Sequence, residues 1–352
     1  MAEFVLSDIA RLESAIEGAE RPVIVTHAKP DGDAMGSSIA MLHFLFSKRK
    51  KAARIVLSDP WPHYLSFIMS EEAGRATIVH SESPEVAVSA ISESDLIICL
   101  DFNAFHRTDK LEKPLAESDA AKVLIDHHLN PDRESFDICF SETAVSSASE
   151  LLYSILMRTD EIAGDASRLP AESADALMTG MTTDTNNFAN SVYPSTLMMA
   201  SELIAAGVDR DRIISGIYNQ YRENRIRLMG LVLKDLLHVT EYGVAYVVLD
   251  KKTLDEYDIE EGETEGFVNI PLSMAKVRMS LLLKEEDDKA RVSIRSKKGT
   301  SANRCARLYF NGGGHENAAG GRLYIPGDIR DIKEAASYIE KHTYKFLTEE
   351  NE

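Results

Sequence analysis

Short β-branched apolar runs alternate with segments of helical spacing through the first half of the chain. PVIVT (22–26), ARIVL (53–57), DLIICLD (95–101) and KVLID (122–126) read as strands, separated by helical patterns over 36–50 and 84–93 and followed by one over 144–160. Such alternation predicts a mostly parallel sheet with helices on its faces. From about 170 to 240 the pattern turns mostly helical, as in STLMMASELIAAG and NRIRLMGLVLKDLLHV. Beyond it VAYVVLD, KVRMSLLL and ARVSIRS read as strands, with KEEDDK as the turn between the last two, so a smaller α/β domain is expected from about residue 226. The acidic stretch 255–265 is expected to be a solvated surface.

The 352 residues suit two domains, each with its own core, and 44% hydrophobic with 27% charged residues is ordinary for a globular protein. No apolar run approaches the roughly 18 residues that span a bilayer, and the acidic, amphipathic N-terminus lacks the layout of a secretory signal. A cytoplasmic location is the expectation. Cys99, Cys139 and Cys305 are widely spaced in apolar surroundings and read as free thiols. A net charge of −18 speaks against a protein that coats long nucleic acids. Residues 276–307 nevertheless hold ten Lys or Arg against four acidic residues, a local excess suited to a small anionic ligand.

Candidate chemistry falls where the strands end. THAKPDGD (26–33) follows the first strand, LDFN (100–103) ends another and IDHH (125–128) a third, while TTDT (182–185) follows in the helical region. In open α/β sheets ligands gather at the carboxyl ends of strands, so the three strand-end clusters should share one edge. A lone aspartate at a helix start more often caps amides than binds metal. Six acidic or imidazole groups together would instead repel one another unless cations neutralised them. Their thiolate-free chemistry suits two divalent ions, Mn²⁺ first and Mg²⁺ or Fe²⁺ as alternatives, bridged by a central aspartate as in two-metal phosphohydrolases. Gly32 and Gly36 are expected to give the first turn freedom to aim its ligands.

In the second half, FNGGGHENAAGG (310–321) surrounds His315 with glycines whose amides can approach a phosphate, and a helix starting near Glu316 would add its dipole. Arg295, Ser296 and Asn303 nearby supply donors for the same anion.

HAKPDGDAMGSS, LDFN, IDHH and TTDT, in this order and spacing, resemble the four motifs of the DHH phosphoesterase superfamily, and GGGHENAAGG resembles the terminal motif of its DHHA1 domain. Length and the short linker are similar to the stand-alone oligoribonucleases and pAp phosphatases (nanoRNases), a group that also includes linear and cyclic dinucleotide phosphodiesterases. The resemblance implies a DHH domain over 1–200, a helical linker over 201–225 and a DHHA1 domain over 226–352. It further implies that His27, Asp31 and Asp101 hold one metal and Asp33, Asp101, His127 and Asp184 the other, with Asp101 bridging. His128 would lie beside the scissile phosphate as donor or general acid, and Asp126 would orient a ligand. Arg295, Ser296, Asn303 and His315, with the amides of Gly312, Gly313 and Gly314, would grip the far phosphate or base across an interdomain cleft.

Two departures stand out. Asn186 occupies a position that is glycine in many relatives, and asparagine tolerates a positive φ. The arginine that often follows the phenylalanine is absent from FANS, which leaves Arg107 to supply that contact. The implied activity is hydrolysis of short oligoribonucleotides or linear dinucleotides to mononucleotides, with pAp and cyclic dinucleotides as further substrates. Membranes and long nucleic acids are not expected partners, and apolar linker helices leave room for a homodimer. A family-II inorganic pyrophosphatase and a non-catalytic nucleotide sensor are the alternatives.

Overall fold

A computed structural model describes residues 6–349, which divide into two compact units between Gln220 and Tyr221. The amphipathic N-terminal segment is helical from Leu6, and its first five residues lie outside the described part.

The first unit runs α1 (Leu6–Gly18), β1 (Pro22–Thr26), α2 (Gly32–Arg49), β2 (Arg54–Leu57), α3 (Glu71–Ala76), β3 (Thr77–Val79), α4 (Pro84–Ser92) and β4 (Leu96–Leu100). It continues through α5 (Glu112–Glu117), β5 (Ala121–Asp126), β6 (Ile138–Ser141), α6 (Ala148–Leu156), α7 (Ala171–Asp184), α8 (Pro194–Ala205) and α9 (Arg210–Tyr218). The six strands form one all-parallel sheet in the order β3-β2-β1-β4-β5-β6. Its strands are buried on both faces, which explains why they read as continuous apolar runs. Ile24, Ile55, Ile98 and Ile125 join the core under α2, α6 and α7, while Val25, Val56, Cys99 and Leu124 face the core that includes Ala87 of α4 and Leu115 of α5.

The chain winds outward from β1 in one direction and from β4 in the other, so the strand order reverses between β1 and β4. That crevice is where such sheets bind ligands. Register makes the point exact at residue level: Thr26 pairs with Leu100, and Leu100 with Ile125. His27, Asp101 and Asp126 therefore emerge side by side.

Gly32 and Gly36 serve close packing rather than conformational freedom, correcting the sequence expectation. Neither has a positive φ. A Cβ on Gly36 would stand 2.6 Å from Ala176 O and 2.9 Å from Gly180 Cα, and one on Gly32 2.3 Å from Thr183 Oγ1. The crossing of α2 over α7 is thus backbone against backbone, and brings both ends of the ligand-bearing segments together.

The second unit contains α10 (Glu223–Leu231), β7 (His238–Val239), β8 (Val244–Leu249), α11 (Lys251–Glu256), β9 (Met279–Glu285), β10 (Lys289–Ser296), α12 (Ala302–Tyr309), β11 (Gly313–Gly314), β12 (Ala318–Tyr324) and α13 (Ala335–Glu349). Its sheet has the order β11-β12-β10-β9-β8-β7, mixed in direction. The acidic stretch is largely exposed, as expected, with Asp255, Glu256, Asp258, Glu260, Glu261 and Glu265 all at the surface, and it is also an ordered clamp. Glu263 takes Arg222 through two contacts of 2.8 Å, Arg225 is buried against Tyr221 and Phe267 while donating to the carbonyls of Glu263 and Glu265, and Glu261 pairs with Lys284 and Arg291. None of the described helices is long and apolar enough to cross a membrane. No disulfide joins the three cysteines, and Cys99 and Cys305 are buried.

Candidate metal centre

Asp31 caps α2: its Oδ1 accepts the N–H groups of Asp33 and Ala34 at 3.1 Å each. The bland role of a helix-start aspartate is therefore real, yet the same oxygen stands 3.8 Å from His27 Nε2. His27 donates from Nδ1 to its neighbour's carbonyl, Ala28 O, at 3.0 Å, which fixes the ring and turns Nε2 inward, 3.5 Å from Asp101 Oδ2. On the other side, His127 Nε2 lies 3.5 Å from Asp101 Oδ1, 3.5 Å from Asp184 Oδ2 and 3.8 Å from Asp33 Oδ2. Asp101 stands between the two groups. The sequence-derived candidates His27, Asp31, Asp33, Asp101, His127 and Asp184 are thus brought together, Asp184 from the end of α7 with its side chain about a third exposed.

Asp101 follows β4 with φ 62°, a strained conformation for an aspartate. It turns the side chain off the sheet edge. Asn186, Asn187 and Phe188 also have positive φ, 46°, 56° and 66°, so the turn after Asp184 keeps the shape that its asparagine was expected to tolerate.

The donor set fits divalent metal. Asp101 Oδ1 is buried without a hydrogen-bond partner, and the imidazole–carboxylate separations are wider than a good hydrogen bond, leaving room for an ion between the atoms. Two overlapping triads, His27–Asp31–Asp101 and Asp33–Asp101–His127, each place one ligand atom per residue within 4.8 Å of the others. Electrostatics agree. Burial alone would raise Asp101, but His127 and His27 hold it well below the usual carboxylate range. Asp33 is pushed well above that range by burial and by the charges of Asp101 and Asp184. Burial would lower His27 and His127, yet Asp101 with Asp31 in one case, and Asp101 with Asp184 in the other, push each up to about 10. A site that holds protons this firmly without metal has the charge to hold cations.

Asp126 holds His128, accepting Nδ1–H at Oδ1 (2.7 Å) and the backbone N–H at Oδ2 (3.1 Å). Burial lowers the His128 pKa, the Asp126 pair opposes this, and the Arg107 guanidinium adds to the lowering. Arg107 is therefore near the centre, and its carbonyl accepts the Ala28 N–H at 2.8 Å.

Sequence reasoning missed the support behind Asp33. Both its oxygens accept amides from the first turn of α6, Ala148 N–H at 2.6 Å and Ser149 N–H at 2.9 Å. The signal was present in SSASE, a Ser147-x-x-Glu150 helix-start pattern.

In the second unit, no helix begins at Glu316. GGGHENAAGG is a β-hairpin, with Gly313 paired to Gly320 and Gly314 to Ala319, and a tight turn in which His315 N–H donates to Ala318 O at 2.7 Å. The glycines are needed for strand contact: a Cβ on Gly312 would lie 1.9 Å from Gly320 O, and one on Gly321 2.2 Å from Phe310 O. Arg295 pairs in register with Ala318, and Asn303 Oδ1 accepts the Gly314 N–H at 3.1 Å, so Arg295, Asn303, Gly312, Gly313, Gly314 and His315 gather at one end of the hairpin. Ser296 is committed elsewhere. Its hydroxyl donates to Thr300 O at 2.6 Å and accepts from Asn317 at 3.0 Å, shaping the 297–300 loop rather than offering a proton to a ligand.

The DHH family N-terminal domain matches residues 21–181 and the DHHA1 domain residues 241–341. The chain belongs to the DHH/DHHA1 phosphoesterase family. Among DHH/DHHA1 relatives, the bifunctional oligoribonuclease and PAP phosphatase NrnA of Bacillus subtilis (strain 168) is 29% identical over 306 residues, 86% of this chain and 89% of that protein. The protein of the same name from Thermus thermophilus is 30% identical, over 90% of this chain and 87% of its own length. A crystal structure of an exopolyphosphatase-related protein from Bacteroides fragilis superposes with a TM-score of 0.88 at 35% identity, covering 100% of both chains. As a member of this family the chain is a hydrolase, and its acidic and imidazole clusters lie where a metal-dependent phosphoesterase needs them.

Proposed function

We propose that this chain is a phosphodiesterase that cleaves short oligoribonucleotides and linear dinucleotides to nucleoside monophosphates, and that it removes the 3′-phosphate of pAp. The observation that carries the reading is Asp101 at the centre of both ligand groups, with the Asp126–His128 pair 3.7 Å from its Oδ1. Ion ligands and a positioned donor meet at one sheet edge.

In this reading His27, Asp31 and Asp101 hold one ion and Asp33, Asp101, His127 and Asp184 a second, with Mn²⁺ the metal that suits mixed imidazole and carboxylate donors. Bound ions supply Lewis acidity at the scissile phosphate and an activated water. The residues do the rest. Asp126 holds the His128 ring by Nδ1, and His128 serves as hydrogen-bond donor or general acid beside the scissile phosphate. Arg295, His315 and the hairpin amides bind the remaining phosphate or base. Free thiols in an acidic globular chain suit a reducing, cytoplasmic setting.

The test is a chromatographic assay with Mn²⁺ and chelator controls, offering pApA, five- and twenty-nucleotide RNA, pAp, cyclic di-AMP and pyrophosphate in parallel. AMP released rapidly from pApA, slowly from the twenty-mer and not at all by Asp184→Ala is the expected pattern. Pyrophosphate cleavage without nucleotide turnover would replace this reading with a pyrophosphatase. Binding without turnover of any substrate would replace it with a nucleotide sensor.

A further inference from the structure

Glu150 is 1% exposed, in the first turn of α6, and touches none of the proposed ligands. Its hydrogen bonds are nonetheless directed with purpose. Oε2 accepts the Ser146 N–H at 2.9 Å, the Ser146 hydroxyl at 2.6 Å and the Thr196 hydroxyl at 2.6 Å, while Ser147 Oγ accepts the Glu150 N–H at 2.9 Å. The first three bonds fix the chain entering α6 and tie it to α8. Thr196 Oγ1 in turn accepts the Tyr193 N–H at 3.0 Å, closing the segment that leads from Asp184 into α8.

The entry to α6 is what holds Asp33, because the amides of Ala148 and Ser149 take both carboxylate oxygens. Gly180 closes the other side, where a Cβ would lie 2.9 Å from Asp33 Oδ1. One buried carboxylate thus stands behind the α6 entry that holds Asp33 and is tied through Thr196 to the far end of the segment that follows Asp184. Glu150 Oε1 is buried without a hydrogen-bond partner.

We infer that Glu150 is a positioning residue for the metal centre, setting the separation of Asp33 and Asp184 through the α6 entry and Thr196. The inference rests on the metal-centre reading given above. Support of this kind behind a ligand changes metal affinity by about 10- to 100-fold when removed.

The experiment is Mn²⁺ titration of metal-free full-length protein, read by electron paramagnetic resonance, alongside thermal melting. Glu150→Ala is expected to lose about 10- to 100-fold in Mn²⁺ affinity. Glu150→Gln, which retains one acceptor oxygen, and Thr196→Val should each lose less. Leu115→Ala, in the core on the opposite face of the sheet, is the stability control and should melt lower with wild-type affinity. A Glu150→Ala protein that melts like this control and binds Mn²⁺ normally overturns the role. Should Glu150→Ala not fold, normal Mn²⁺ affinity in both Glu150→Gln and Thr196→Val overturns it equally. Wild-type protein that binds no Mn²⁺ would instead remove the metal-centre reading itself.

Discussion

His128 is joined to Asp126 twice, ring to Oδ1 at 2.7 Å and backbone to Oδ2 at 3.1 Å. Both contacts need an acceptor on the aspartate. An asparagine supplies one oxygen and one amide, so Asp126→Asn sets a donor against a donor at one of the two positions. The ring then loses its fixed direction while the metal-facing residues keep theirs. Turnover of pApA should fall by about 10²–10⁴-fold, the usual worth of a positioned proton donor. Mn²⁺ titration should be unchanged; a parallel loss of metal would mean that the pair supports the ions instead.

Metal and protons compete for this site. His27 and His127 are each pushed up to about 10 in the metal-free protein, so at pH 8 both carry a proton that a metal must displace. Calorimetric Mn²⁺ titration at pH 8 in two buffers of different ionisation enthalpy should report release of about two protons, and apparent affinity should rise with pH. The sign for stability is opposite. Both folded-state values lie above the ordinary 6.5, so the metal-free fold has this contribution in full below pH 6.5 and loses it as pH rises toward 10. No proton release would show that the histidines do not meet the ion.

Gly180 packs α7 close against Asp33 and Ser149. A Cβ there would stand 2.1 Å from Ser149 Oγ as well as close to Asp33. Gly180→Ala should destabilise by about 1–3 kcal/mol, as overpacking does, and weaken Mn²⁺ binding with it. Gly74→Ala, inside α3 with nothing within 4 Å of the new methyl, should be neutral or stabilising in the same melting experiment. Equal effects at the two glycines would exclude packing at Gly180 as the cause.

The strands and the cluster at their ends were legible because both signals are local: apolar runs such as LIICL and KVLI, each followed at once by its charged residue. Parallel topology then brings neighbouring strand ends together without further information. The helix expected near Glu316 is a hairpin turn instead, for a physical reason. Glycines that let a backbone approach a phosphate and glycines that let two strands touch look alike until the partner strand is known, and Gly312 and Gly321 serve the second purpose. The partners that order the acidic loop were not legible, since Arg222 and Arg225 lie roughly forty positions upstream of the carboxylates and carbonyls they meet. Glu150 escaped notice because its pattern announces a helix start and nothing about what the start holds.

The left-handed backbone of Asp101 sets the stability and activity of this chain against each other. Glycine at that position would relax the turn after β4 and lift the buried charge at one stroke, at the expense of the residue shared by both ligand groups. Selection for heat tolerance alone would therefore drift toward an inert protein, and only selection that also demands turnover keeps an aspartate in so uncomfortable a place.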